Sequence, residues 1–139
     1  MKAEPMFPGT PAAAAALSVA TRCYSPALLN HCLRSYLWGV RYGTAHGIVF
    51  DVSPAADPES HLLQVATGWE VVGRRPEEFP PDARAEMLAR HPRLDFGPAL
   101  LARFEAQARR KPDSATAASV GNDVAGRIAA NPLEDRPPA

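Results

Sequence analysis

The chain has 139 residues, the size of a single domain that buries about two thirds of the surface of its unfolded form. Fifteen basic and fifteen acidic side chains give a formal net charge of zero, which argues against a nucleic-acid-binding surface, and no Lys/Arg run indicates such a surface locally. No apolar stretch approaches the ~20 residues of a membrane span, and the N-terminal alanines are too few for a signal peptide, so we expect no membrane partner and a cytoplasmic location.

The cysteines and prolines point to a helical, reduced protein. Cys23 and Cys32 are too few for a disulfide scaffold, and we expect them to be buried free thiols without a special role. The fifteen prolines are about twice the usual share of ~5%, and most of them flank apolar periodic segments. They are therefore interpreted as the boundaries of helices.

The N-terminal part of the chain predicts an arm followed by a short helix. Residues 1–9 have no periodic pattern and are expected to be flexible. Thr10 and Pro11 have the character of an N-cap and a first helical residue, which predicts a helix over residues 12–22.

The central helix of the chain is predicted from Ser25 to about Gly43, within the stretch over residues 25–46. Ser25 is a favourable N-cap, and Gly43 is typical of a helix end. One side of this helix is apolar and consists of Leu29, Leu33, Tyr36 and Val40. The opposite side consists of His31, Ser35, Trp38 and Tyr42. A helix that is apolar or aromatic on two sides is usually buried on both, so we expect His31 inside the protein, one turn from Arg34.

The segment after the central helix contains a loop, a linker and a third helix. Residues 47–51 are interpreted as an extended loop, because a single short strand would have no partner, and residues 52–57 as a linker. A helix begins at Asp57 and ends at residues 74–76, with Glu70 beside its apolar stripe. The stripe consists of Leu62, Ala66, Trp69 and Gly73.

Three more helices are predicted over residues 81–90, 95–111 and 113–131. The first begins at Pro81, and the second directs Leu100, Leu101, Phe104 and Ala108 inward. The third is a single helix capped by Asp113 and Ser114, although Gly121 and Gly126 weaken it by roughly 1 kcal/mol each. Residues 134–139 are expected to be a disordered tail. The fold class is all-α, with residues 10–133 forming one small helical bundle.

Common catalytic and metal-binding motifs do not occur in the sequence. It contains no HxxxH, HExxH or paired CxxC, no Gly-rich phosphate loop and no GxSxG. Surface or capping roles are expected for His46, His61 and His91, and a solvated helix terminus for the Arg74–Arg75 pair. A lone histidine on a buried face, such as His31, is more often a hydrogen-bonded core residue than a ligand, and both interpretations stay open.

Four segments resemble HD-domain proteins, in particular the cyanamide-hydratase-like branch. Residues 28–39 (LLNHCLRSYLWG) resemble the first motif helix of that family. Three further segments resemble later parts of the same proteins: residues 57–76 (DPESHLLQVATGWEVVGRRP), 109–114 (RRKPDS) and 128–133 (IAANPL). The resemblance implies a helical bundle with a divalent metal, held by a His, a His-Asp doublet and a later Asp, that activates water for hydrolysis or hydration of small molecules.

By this resemblance His31 matches the first metal ligand, and Glu70 lies where the later Asp would be. The candidate pocket consists of His31, Arg34, Trp38 and Glu70. No His-Asp doublet occurs, and the chain is shorter than the family pattern by roughly 60 residues near the 51/52 junction, judged from usual domain sizes. Two ligands are fewer than the three protein ligands of a typical catalytic zinc site, so the set is incomplete.

Three interpretations follow for function. In the first, the chain is an HD-type hydrolase or hydratase that takes its missing ligands from a second chain or from other residues. In the second, it is a non-catalytic helical module that binds a small molecule or a partner. In the third, it derives from a gene model that lost its metal-binding middle. We also expect self-association, because the missing helices would leave part of the central helix uncovered. The alternative is that the later helices close the gap and leave a monomer.

Overall fold

The computed structural model describes residues 9–48 and 57–134, with the backbone alone for residues 57–64. In this part of the chain the helices are α1 (Pro11–Cys23), α2 (Pro26–Ala45), α3 (Asp57–Val72), α4 (Pro81–Arg90), α5 (Phe96–Arg110), α6 (Ala115–Gly121) and α7 (Val124–Ala129), with a short 3-10 helix over Pro76–Glu78. The described residues form no strand, which confirms the predicted all-α class. Within them no helix is both long and apolar enough to cross a bilayer.

The helix starts follow the predicted capping chemistry. The side-chain oxygens of Thr10, Ser25 and Ser114 accept hydrogen bonds at 3.2–3.3 Å from amides three residues ahead. Each oxygen therefore satisfies an amide that has no partner within its helix. The capping roles predicted for His46 and His91 are confirmed, because each residue is the C-cap of its helix. The end predicted at Gly43 is two residues too early, because α2 continues to Ala45.

An aromatic cluster between α2 and α3 forms the centre of the core. The Trp38 ring meets the Trp69 ring edge-on at 6.3 Å between centroids, and it meets the Phe79 ring in the same way at 5.1 Å. Trp69 and Phe79 stack at 4.6 Å, and all three side chains are fully buried. Such rings bury 150–250 Å² each, so this cluster sets the distance between the two helices.

The later helices pack around this pair. α5 packs on α6, and α7 contacts both α3 and α5. The 3-10 helix delivers Phe79 to the core, and Leu133, after α7, is buried in the same cluster. α1 packs against α2 without burying any of its residues.

The expected burial of α2 on two sides is wrong, and so is the expected burial of the two cysteines. Its buried residues are Ala27, Arg34, Leu37, Trp38, Gly39, Tyr42 and Gly43, whereas the predicted apolar side with Leu29, Leu33, Tyr36 and Val40 is only half-buried. The aromatic side faces α3, which makes the main contact with α2. The smaller contacts of α2 with α1 and α5 leave the opposite side half-buried. Cys23 and Cys32 are free and lie at the surface, not in the core, although protein atoms around the Cys32 thiol still shield it in part from solvent.

The predicted last helix is two helices. α6 ends at Gly121 and α7 begins at Val124, because Asp123 adopts a left-handed conformation with φ of 56°. Its carboxylate accepts a hydrogen bond from the amide of Gly126 at 3.1 Å and so starts a new helix. The prediction of one continuous helix was based on the apolar spacing alone and did not include an N-cap at Asp123.

The inward side of α5 is also less buried than predicted. Leu100, Leu101, Phe104 and Ala108 are all half-buried, since α6 and α7 are short and cover α5 incompletely.

The end of α3 is closed by a glycine. Gly73, assigned above to the apolar stripe, lies one residue beyond the helix with φ of +66°. Its amide donates to the oxygen of Trp69 at 2.8 Å, which is typical of a glycine C-cap. Arg74 and Arg75 beyond it are exposed, as predicted for a helix terminus.

Several predictions lie outside the described residues. These are the arm up to residue 8, the loop and linker over residues 49–56, the proposed junction at 51/52, the tail over residues 135–139, and the side chains of His61 and Leu62. Glu134, the first residue of the predicted tail, is described and is bound to the rest of the fold.

Candidate functional site: a buried ion-pair cluster

Glu70 is the centre of the candidate site. It follows Trp69 near the end of α3, so that the anchoring of the Trp69 ring in the aromatic core directs the next side chain toward α2 and the α4–α5 loop. Its carboxylate is fully buried. A buried carboxylate needs charged or hydrogen-bonding partners to compensate for lost hydration.

Arg34 on α2 is the first partner. Its Nε donates to Oε1 of Glu70 at 2.7 Å, and its Nη2 contacts the same oxygen. Its Nη1 donates to the backbone oxygens of His91 at 2.8 Å and Pro92 at 2.9 Å. Arg34 is fully buried, so this guanidinium joins α2 to both α3 and the α4–α5 loop.

Arg93, in the loop before α5, is the second partner. Its Nη1 donates to the backbone oxygen of Glu70 at 2.6 Å and to Oε1 of the same residue at 3.1 Å. Its Nε donates to Oε1 of Glu134 at 2.6 Å. Arg93 is 1% exposed, and it ties the C-terminal segment to the end of α3.

His31 lies at the edge of the same group. Its Nδ1 is 3.4 Å from Oε1 of Glu70, and its side chain is 15% exposed. The ring stacks on Phe96 at 4.1 Å, and the guanidinium of Arg93 lies 5.0 Å from the centre of the Phe96 ring. Phe96, the first residue of α5, therefore contacts both basic groups.

Together these side chains form what we call the Glu70 cluster: His31, Arg34, Glu70, Arg93 and Glu134. Two guanidinium groups face two carboxylates, so the cluster is electrically balanced when His31 is neutral. Asn131 extends the cluster by donating from its amide to the oxygens of Trp69 at 3.2 Å and Glu70 at 3.0 Å. The last carbonyls of α3 are thus capped by side chains, which suits the negative end of the helix dipole.

The sequence-predicted site residues have different fates. His31, Arg34 and Glu70 are brought together as expected from their positions. Trp38 lies one turn further along α2, and its ring belongs to the aromatic core with Trp69 and Phe79.

The sequence reasoning missed Arg93, Asn131 and Glu134. Arg93 lies in a short His-Pro-Arg-Leu loop with no periodic pattern, and its burial arises only when α4 and α5 fold over α3. The one available signal was a carboxylate, Glu70, beside an apolar stripe, since a buried acid calls for more than one basic partner.

Electrostatic effects of the cluster reach two neighbouring groups. Partial burial lowers the pKa of His91 from its ordinary value of 6.5, and the charges of Arg34 and Arg90 lower it further. Partial burial raises the pKa of the Cys32 thiol above its ordinary value of 9.0; Arg34 opposes this rise and Glu70 adds to it.

The divalent metal implied by the HD-domain resemblance does not fit this arrangement. Within the described residues, His31 Nδ1 and Glu70 Oε2 are buried without a hydrogen-bond partner, and they are the imidazole and carboxylate atoms of this cluster left to bind an ion. No group of three or more His, Cys, Asp or Glu side chains with metal-binding geometry occurs in this part of the chain. An ion at these atoms would also lie beside the guanidinium groups of Arg34 and Arg93, which repel it.

Comparisons with known proteins give no relative: no family model, no curated protein and no solved structure matches this chain.

Proposed function

We propose that this chain is a non-catalytic helical module, related to HD-domain proteins, that acts by binding a partner. The proposal depends on one observation: the carboxylate of Glu70 receives hydrogen bonds from both Arg34 and Arg93 inside the core. A carboxylate neutralised in this way has a structural role, because it connects α3 to α2 and to the loop before α5. In this proposal the ion-pair cluster occupies the position where an HD-type enzyme would hold its metal.

The competing function is a metal-dependent hydrolase or hydratase with His31 and Glu70 as ligands. It would require Glu70 to leave two buried guanidinium groups, and breaking a buried ion pair by removing one partner costs on the order of 3–5 kcal/mol. It would also require at least one further protein ligand. The binding-module proposal needs neither change.

Self-association is one form that this binding takes in our proposal. Among the side chains that the structure describes, the exposed large apolar ones are Val19, Tyr24, Leu28 and Leu94. Three of them belong to α1 and the start of α2, and α1 has no buried residue of its own. Covering this surface with a second copy would remove apolar area from water, which favours association. Sedimentation at micromolar concentration tests it, and a species of 14.9 kDa without any tendency to associate would contradict it.

We also propose the cytoplasm as the location. Two free cysteines with exposed side chains are compatible with a reducing compartment, where thiols do not pair.

Metal analysis tests the main proposal. The purified chain is incubated with Zn²⁺, Mn²⁺ or Co²⁺, passed over a gel-filtration column and analysed for bound metal, and then assayed for phosphoester hydrolysis and nitrile hydration. We expect far less than one metal per chain, no activity and no change of the melting temperature with EDTA. Stoichiometric metal that is lost, together with activity, in His31→Ala would overturn the proposal.

A further inference from the structure

A groove on the surface between α5 and α6 is separate from the Glu70 cluster. It has a volume of about 800 Å³, is open to solvent along one side, and has a mainly apolar surface. Its walls include Leu100, Arg103, Phe104, Ala106, Arg110 and Thr116. None of its residues belongs to the core or to the ion pairs described above.

The floor of the groove is suited to another helix. Leu100 and Phe104 are one turn apart and half-buried, so each still presents apolar surface to a partner. Ala99, Ala102 and Ala106 also line it, and small side chains at helical spacing let a second helix approach closely. A small compact ligand is normally enclosed on most sides, whereas this groove runs open along α5.

The charge of the groove is positive. Arg103 and Arg110 are exposed and two turns apart, which places them on the same side of α5, about 10 Å from each other along the axis. Among the described residues Arg103 has no ion-pair partner, and Arg110 donates only to Gln107, at 3.3 Å. Glu105, the one acidic residue of α5, is rotated by about 200° from Arg103 and lies on another side of the helix.

We propose that the α5–α6 groove binds an acidic amphipathic helix of a partner protein. Apolar side chains of that helix at positions i, i+4 and i+7 pack on Leu100 and Phe104, and its carboxylates meet Arg103 and Arg110. The described helices of this chain offer no such segment except α3, which is acidic but packed against α2. In this proposal the partner is a different protein, because α3 is already packed within the bundle. This inference rests on the proposed function, a module that acts by binding.

The length of the groove defines the probe. From Ala99 to Arg110 the helix rises about 16 Å, so a bound helix of about 11 to 15 residues covers the groove. We would use a synthetic peptide of this length, with Leu on one side and Glu on its flanks, stapled to keep it helical and labelled with fluorescein. A control peptide carries Lys at each Glu position.

The experiment measures fluorescence anisotropy and amide chemical shifts of the full chain with each peptide. We expect the acidic peptide to bind, to shift the amides of α5 and α6, and to bind more weakly as salt is added. Arg103→Glu should weaken binding on the order of tenfold, because it places a like charge against the peptide carboxylates. Arg109→Glu makes the same charge change outside the lining residues and should have a much smaller effect.

A second variant tests shape without charge. Ala102→Trp fills the groove at an exposed position and should abolish binding while the melting temperature stays unchanged. Equal effects of Arg103→Glu and Arg109→Glu, equal binding of the Lys peptide, or no shift of α5 and α6 amides at millimolar peptide would each overturn this inference. The two proposals fail in different ways. A metal-free chain that does not bind the peptide contradicts only the proposal about the groove. A metal-loaded, active chain contradicts the proposed function.

Discussion

The side chain of Arg93 holds Glu70 at two points, because its Nη1 donates to the backbone oxygen at 2.6 Å and to carboxylate Oε1 at 3.1 Å. The same guanidinium binds Glu134 through Nε, 41 residues further along the chain. One loop residue thus links the end of α3 to the C-terminal segment. Arg34 provides the matching link to α2, and the bundle is closed by charge as well as by apolar packing.

Removing the charge of Glu70 should destabilise the protein severely. Glu70→Gln leaves the buried guanidinium groups of Arg34 and Arg93 facing a neutral amide, and loss of one partner from a buried pair costs about 3–5 kcal/mol. We expect a reduction of this size in the free energy of unfolding, measured by urea denaturation followed by tryptophan fluorescence.

Glu86→Gln is the matched control for that variant. Glu86 pairs with Arg90 on the exposed side of α4, and such surface pairs contribute only ~0.5 kcal/mol or less. If Glu70→Gln were no more destabilising than Glu86→Gln, Glu70 would not be the electrostatic centre of the fold.

Two glycines should respond in opposite directions to substitution by alanine. Gly73 has φ of +66°, and a Cβ atom there would lie 2.6 Å from Cδ of Pro132, so Gly73→Ala should cost at least ~1–2 kcal/mol. Gly121 lies in α6 with nothing within 4 Å of an added Cβ, and Gly121→Ala should stabilise by up to ~1 kcal/mol. Thermal unfolding of both variants is the measurement. A Gly73→Ala variant as stable as the parent would argue against the close approach of α3 and Pro132.

The sequence predicted those features that local chemistry decides. The caps at Thr10, Ser25 and Ser114, the terminal prolines and the apolar spacing define most helices, because their energies arise within one turn of the chain. The division between α6 and α7 was not predicted. It depends on the left-handed backbone conformation of Asp123, which the apolar spacing of the sequence does not reveal. The proximity of His31, Arg34 and Glu70 was predicted from the family resemblance.

The part of the site formed by Arg93, Asn131 and Glu134 was not predictable in this way. These residues lie in segments without periodicity. Arg93 and Asn131 contact Glu70 from 23 and 61 residues away, and Glu134 contacts Arg93 from 41 residues away. Their burial depends on how α4, α5 and α7 close on α3. No local pattern of the sequence predicts such a contact. The one indication is that a buried carboxylate requires more than one basic or hydrogen-bonding partner.

The Cys32 thiol should react slowly at neutral pH. Partial burial raises its pKa above the ordinary 9.0, so the native protein has a smaller thiolate fraction than a free cysteine. In a Cys23→Ser background we expect the rate with Ellman's reagent to rise several-fold when the protein is unfolded in urea. The native rate should keep rising with pH to above pH 9. A native rate that levels off near pH 8 would contradict the raised pKa.

His91 should make the protein less stable in weak acid. In the unfolded chain its imidazole has the ordinary pKa of 6.5, whereas burial and the charges of Arg34 and Arg90 lower this pKa in the folded state. At pH 7.5 the imidazole of His91 is mostly neutral in both states, so its protonation has little effect on stability. As the pH falls through 6.5 the unfolded chain takes up the proton first, so the free energy of unfolding decreases until the folded-state pKa is also passed.

The variant His91→Gln isolates this contribution. It removes the titrating group but keeps the backbone oxygen that accepts from Arg34 Nη1 at 2.8 Å, so the Glu70 cluster stays intact. Urea midpoints are measured for both proteins at pH 7.5 and pH 5.0. We expect the parent to lose more stability over this interval than the variant, because other titrating groups affect both proteins alike. An equal or larger loss in His91→Gln would mean that the folded state accepts the proton on His91 as readily as the unfolded chain does.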